Sequence, residues 1–179
     1  MPASLPINTR TAPGFRVLKF ESLGKALDEA RRLAQADAAG LLVRHGNWTL
    51  GQALAHIAWW ASLYYDDEKY AIAPRPPWFV RLFVRLRRKA MLSGTLPRGF
   101  RIPGIPGGTL GADEVDTQEG LARLVHAFER LDAAPPARDN LLFGPLTHDE
   151  WRGLNRGHAE LHLGFFDVRT PKKSEQPIP

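Results

Sequence analysis

Along most of this chain apolar residues return every three to four positions, the spacing of helices that bury one face. Leu23, Leu27, Ala30, Leu33 and Ala34 form the first such run, opened by Ser22, a good cap residue, and stopped near Gly40. The second opens at Asn47-Trp48-Thr49-Leu50-Gly51-Gln52. There Thr49 and Gln52 predict a capping box, with the hydroxyl taking the third amide and the Gln side chain returning to the cap amide. Leu50, Leu54, Ile57, Ala61 and Tyr65 mark its buried stripe, and prolines 74, 76 and 77 end it. Over residues 78–91 the pattern predicts a short helix with Phe79, Leu82, Phe83, Leu86 and Ala90 on one face and Arg81, Arg85 and Arg88 on another. Asp116 and Glu119 suggest another capping box, opening a further helix through Leu121, Leu124, Val125, Phe128 and Leu131, which Pro135-Pro136 close. Finally, Thr147-His148-Asp149-Glu150 is a capping box with two acids in the first turn, where the helix dipole favours them. Trp151, Leu154, His158, His162 and Phe165 follow on one face.

No strand pattern stands beside these helices. Residues 15–20 alternate weakly and predict an extended arm or an edge strand. Between Ser93 and Gly111, seven glycines and prolines after Thr95 (Pro97, Gly99, Pro103, Gly104, Pro106, Gly107 and Gly108) predict a long loop, of the kind that serves function in a compact domain. The tail from Thr170 to Pro179 is polar and proline-rich and reads as disordered. The expected fold is therefore all-α: an arm over residues 1–21, a bundle of four long helices over 22–169, and the tail over 170–179. The basic helix and the loop are inserted between the second and third bundle helices.

Composition changes this picture in two places. The 179 residues contain no cysteine, which excludes disulfides, thiolate metal sites and cysteine nucleophiles and agrees with a reducing, cytoplasmic setting. The start has neither a basic nor an apolar leader pattern, and no apolar run approaches the roughly 20 residues of a membrane span. The net charge of +5 resides in one segment. Eight basic residues and no acid lie between Tyr70 and Ala112, leaving the remainder at −3. The basic helix 78–91 thus has two readings: a cap on the bundle with a solvated arginine face, or a dock for an anionic membrane, nucleic acid or partner through Arg81, Arg85 and Arg88. No nucleic-acid-binding motif accompanies it, which disfavours nucleic acid.

Chemistry concentrates in the histidines. His158 and His162, four residues apart, project from one helix face, and a divalent metal satisfies two neighbouring imidazoles on an apolar stripe. Such a pair suits zinc, nickel or iron(II) but needs at least one more protein ligand. His56 lies beside the apolar stripe of the second helix and, taken alone, reads as a core histidine with a backbone partner. His45 in a turn, His148 in a first helical turn and the solitary His126 are poorer ligands. Gly157, inside the ligand-bearing helix, costs about 1 kcal/mol relative to alanine and predicts close approach of another element or a weakened turn.

Residues 47–56, together with Phe143-Gly144-Pro145-Leu146-Thr147, Trp151 and His158-Ala159-Glu160-Leu161-His162-Leu163, resemble the DinB/YfiT-like superfamily, and within it a bacterial branch of unknown function. The resemblance implies a four-helix bundle, commonly dimeric, with a divalent metal on one histidine of the second helix and an HxxxH pair of the last. Carried onto this sequence, those ligands are His56, His158 and His162. Gly157 and Leu161 depart from the residues that often flank the pair in that branch. The resemblance further implies thiol-dependent transfer or hydrolysis of a small molecule. Without cysteine in the chain, any thiol is a low-molecular-weight co-substrate. Gln52, Asn155 and Glu160 are candidate acceptors for the far imidazole N–H groups, against the plainer readings of Glu160 as a solvated surface acid and Gln52 as the cap residue alone. Trp48, Trp59, Trp60 and Trp151 either wall a pocket or belong to the core.

Overall fold

The computed structural model describes residues 6–73, 75–92, 96–99, 101 and 108–169. The tail 170–179, the first five residues, Pro74 and most of the loop glycines and prolines lie outside the described residues. The protein is mainly helical, with α1 Leu23–Ala38, α2 Leu50–Ser62, α3 Asp67–Ile72, α4 Trp78–Leu86, α5 Arg88–Leu92, α6 Thr117–Ala133 and α7 His148–Leu163. A small antiparallel sheet joins β1 Leu42–Arg44 to β2 Phe166–Val168, with Leu42 opposite Val168 and Arg44 opposite Phe166. Among the described residues no helix is long and apolar enough to cross a membrane.

The helix starts follow their caps. Ser22 Oγ accepts from Lys25 N–H, and Asp116 accepts from Glu119 N–H. Thr49 with Gln52 and Thr147 with Glu150 complete their predicted capping boxes, each satisfying two amide groups that the helix itself leaves unpaired, whereas Asp116 caps α6 without the return bond from the Glu119 side chain that a box requires. α1, α2, α6 and α7 bury their stripes against one another. Leu33, Leu54, Ile57, Leu124, Phe128, Leu131 and Leu163 are fully enclosed, each contributing roughly 1.5–3 kcal/mol by leaving water. The tightest approach is between α2 and the start of α6. A Cβ on Gly51 would lie 2.2 Å from the Val115 carbonyl oxygen, and one on Gly120 would lie 2.6 Å from the Gly51 carbonyl oxygen.

Three expectations need correction. The second helix does not continue to the prolines. It ends at Ser62 in a single 3₁₀ turn, and Asp66 then caps the separate helix α3 through Lys69 N–H. Secondly, a sheet exists that the sequence pattern does not announce. Its strands are only three residues long and pair the turn after α1 with the end of α7, held also by His45 N–H donating to Phe165 O and Arg169 N–H to Leu41 O. Residues 15–20 are an extended arm, not a strand. Arg16 fastens it: the amide donates to Gly164 O, Nε to Phe166 O, and the guanidinium pairs with Glu29 at 2.6 Å.

The third correction concerns the basic helix, which breaks at Arg87 into α4 and α5. Its apolar face is not packed on the body of the protein. Phe79, Leu82, Phe83 and Leu86 are exposed, and in α4 only Val84 is buried. Arg88, grouped by sequence with the outward arginines, holds the insert to the body. It donates to both carboxylate oxygens of Glu150 and to the carbonyl oxygens of Phe143 and Pro145.

Candidate metal centre

Two helices bring the three histidines together. His56 stands in the second turn of α2, whose start is set by the Thr49–Gln52 box, and His158 and His162 stand one turn apart on α7. One ring nitrogen from each lies within 4.8 Å of the other two. The ring centroids are 5.0 Å apart for His56 and His158, and 4.6 Å apart for each of the other pairs. α7 passes through Gly157 unbroken.

The tautomer of His56 is set by its surroundings. Its Nδ1 lies 2.8 Å from the carbonyl oxygen of Leu110. A carbonyl only accepts, so Nδ1 carries the proton and Nε2 keeps its lone pair. His158 and His162 make no hydrogen bond through their rings among the described residues. Burial pushes His56 from an ordinary value of 6.5 down to about 4. His158 and His162 are also lowered well below 6.5, first by burial and then by the neighbouring histidines. All three are therefore neutral near pH 7, the form in which imidazole ligates a metal. Neutral nitrogen donors converging on one point, one with its tautomer fixed and two without a protein partner, fit a divalent cation.

The lowered values also dictate how the metal-free fold responds to acid. Unfolded histidines take up protons near pH 6.5, whereas His56 in the fold resists them until about pH 4. The unfolded state thus binds more protons in that window, and stability falls as pH is lowered through it. The melting temperature of metal-free protein is expected to decline below pH 6.5, with the decline reduced in a His56→Phe variant. A profile identical in the two proteins would contradict the burial of a neutral His56.

Aromatic rings enclose the cluster. Trp48 stacks on His162 with ring centroids 5.3 Å apart and planes 11° from parallel, and it also meets His56 at 4.8 Å. Trp60 meets the edge of His56 at 6.2 Å. Trp59 packs on Trp60 and against Gly111, whose φ of +74° and lack of a Cβ let the chain turn over the indole. Trp151 belongs instead to the core, beside Tyr64. Trp48, Trp59 and Trp60 are half-buried and pack against the edge of that core. An open concavity of about 780 Å³ between α1 and the start of α6 does not include the histidines.

None of the three candidate acceptors hydrogen-bonds an imidazole among the described residues. Gln52 Oε1 is occupied by Thr49 N–H in the cap. Asn155 is buried and donates to Trp151 O. Glu160 accepts from Phe20 N–H at 2.8 Å and from Lys19 Nζ at 3.2 Å. At about 100° per residue it lies across the helix from the two histidines. Its role is to hold the N-terminal arm. Glu160→Ala is expected to lower stability by roughly 1–3 kcal/mol, because the Phe20 amide loses its acceptor, and to leave metal affinity unchanged. A melt and a metal titration check this; a roughly 10- to 100-fold loss of affinity would return Glu160 to the metal site. The acceptor that does serve the cluster, Leu110 O, is a backbone group in the Pro/Gly loop. Only the length of that loop points to it. Of the other histidines, His148 donates from Nε2 to Leu131 O and binds α7 to α6, while Gly14 abuts the ring of His45.

These features define a mainly helical protein with a three-histidine cluster between two of its long helices. The chain matches the family described as "Protein of unknown function (DUF1569)" over residues 14–169, and it belongs to that family. No curated protein and no solved structure gives a significant match.

Proposed function

We propose that the chain is a DinB/YfiT-like four-helix bundle that binds one divalent metal ion through His56, His158 and His162, and that it is a metal-dependent enzyme acting on a small molecule. The observation that carries this reading is the convergence of three neutral imidazole nitrogens within 4.8 Å, drawn from two helices. Zinc, nickel and iron(II) all suit nitrogen donors of this kind. Bound there, such an ion supplies Lewis acidity that makes a coordinated water or thiol a better nucleophile near neutral pH. Three uncharged ligands leave the ion's full charge uncompensated and coordination positions open, as in catalytic rather than structural sites.

The chain's own groups have separable parts in this scheme. Leu110 O keeps the proton of His56 on Nδ1 and the lone pair on Nε2. Trp48 fixes the plane of His162 by stacking and screens one side of the cluster from water. With no cysteine in the sequence, a thiol enters only as a diffusible co-substrate, so thiol-dependent transfer and hydrolysis are the two reaction classes to test. The likeness to the superfamily also favours a homodimer.

Metal-loaded protein should accelerate conjugation of a low-molecular-weight thiol to a generic electrophile, or hydrolysis of an activated ester or amide. The acceleration should disappear with chelator and in His162→Ala. Rates equal to buffer in both assays, from protein shown to be metal-loaded, would refute both classes.

A further inference from the structure

We infer that α4 is a membrane-docking element that seats the protein on anionic phospholipid surfaces. Trp78, Phe79, Leu82, Phe83 and Leu86 are 75%, 57%, 50%, 59% and 78% exposed, an unusual concentration of large apolar side chains on nine residues of one helix. At about 100° per residue they share a single sector. Val84, only 5% exposed, points to the opposite side and into the body. The crest therefore faces directly away from the protein.

The charges are arranged around that crest. Arg81 and Arg85 flank it on one side and Arg87 on the other, all exposed, with the Arg87 guanidinium 5.9 Å from the Phe83 ring centroid. No acid occurs between Tyr70 and Ala112. Arg88 acts differently. Through Glu150, Phe143 O and Pro145 O it clamps the following helix, α5, to the start of α7.

Charge selects the occupant. A second copy of this face, related by a two-fold axis, would bring arginines against arginines without an acid to oppose them. Nucleic acid needs cationic groups where phosphates approach closest, whereas here the most prominent groups are apolar. An anionic bilayer meets both features. The apolar crest enters the boundary between headgroups and acyl chains, with Trp78 at the level where tryptophan is favoured, and the flanking arginines reach lipid phosphates.

Sedimentation of the full chain with vesicles tests this. Vesicles of phosphatidylserine and phosphatidylcholine in equal parts should bind the protein, phosphatidylcholine alone should bind it far less, and added salt should weaken the binding. Arg81→Gln with Arg85→Gln should reduce the affinity roughly 30-fold. Leu82→Ser with Phe83→Ser should abolish binding although charge is unchanged. The blue shift of tryptophan emission on vesicles should be lost in Trp78→Phe. All these side chains are exposed, so unchanged circular dichroism melts are expected for every variant. Failure to bind the mixed vesicles would overturn the inference. So would binding to an oligonucleotide alone that the arginine changes remove, or a lipid-free dimer that Leu82→Ser with Phe83→Ser dissociates.

Discussion

His158→Ala will weaken divalent-metal binding by more than about 100-fold while leaving the metal-free fold close to its original stability. Loss of a group that merely orients a ligand costs roughly 10- to 100-fold in affinity, and removal of a ligand itself exceeds that. In this cluster His158 stands 5.0 Å from His56 and 4.6 Å from His162 between ring centroids, so no neighbouring histidine can replace it without rebuilding a helix turn. The metal-free fold has little to lose, because the His158 ring makes no hydrogen bond among the described residues and alanine is the better helix former. His162→Ala should behave alike in affinity, but it also leaves Trp48 without its stacking partner. Calorimetric titration of metal-free wild type and variants with zinc gives the affinities, and thermal melts give the stabilities. Equal zinc affinity in wild type and His158→Ala would remove His158 from the site.

Gly51→Ala will destabilise the protein by about 1–3 kcal/mol, against the sign that helix propensity alone predicts. Within a helix, alanine is ordinarily favoured over glycine by about 1 kcal/mol. At Gly51 the added Cβ would stand 2.2 Å from Val115 O and 2.7 Å from Asp116 O. Both are backbone atoms, and Asp116 is the cap of α6, so relief requires moving the start of that helix away from α2. Gly24 supplies the control, since its nearest neighbour would be the Ser22 hydroxyl at 3.6 Å. Gly24→Ala should be neutral or slightly stabilising, whereas Gly51→Ala should lower the melting temperature by several degrees, at roughly 2–4 °C per kcal/mol for a chain of this size. Equal melting temperatures for the two variants would show that the α2–α6 approach is looser than described.

The contrast between these two glycines also shows what sequence can and cannot convey. Caps are local: Thr49, Asp116 and Thr147 each act on an amide three residues on, and each is legible as a helix start. The i, i+4 spacing of His158 and His162 is equally local, and it places both rings on one face. Helical spacing cannot say which way an apolar face turns. Phe79, Leu82, Phe83 and Leu86 have the pattern of a buried stripe yet face outward, because Val84 and Arg88 anchor the insert from the other side. Nor is a contact between distant segments visible in periodicity. The sheet joins Leu42 to Val168 through three-residue strands, too short for alternation to register. Glu160 neighbours the histidine pair in sequence, which suggests that it supports one of them; two residues along a helix turn it to the opposite side, where Phe20 and Lys19 hold it. The carbonyl of Leu110, which sets the His56 tautomer, carries no side-chain signature at all.

Elemental analysis of the purified chain decides whether His56, His158 and His162 form one metal site. Protein reconstituted with zinc and freed of excess by gel filtration should retain one ion per chain, and the His56→Ala/His158→Ala/His162→Ala variant should retain none. Wild type that emerges without stoichiometric metal, or a triple variant that keeps as much as wild type, would contradict the account.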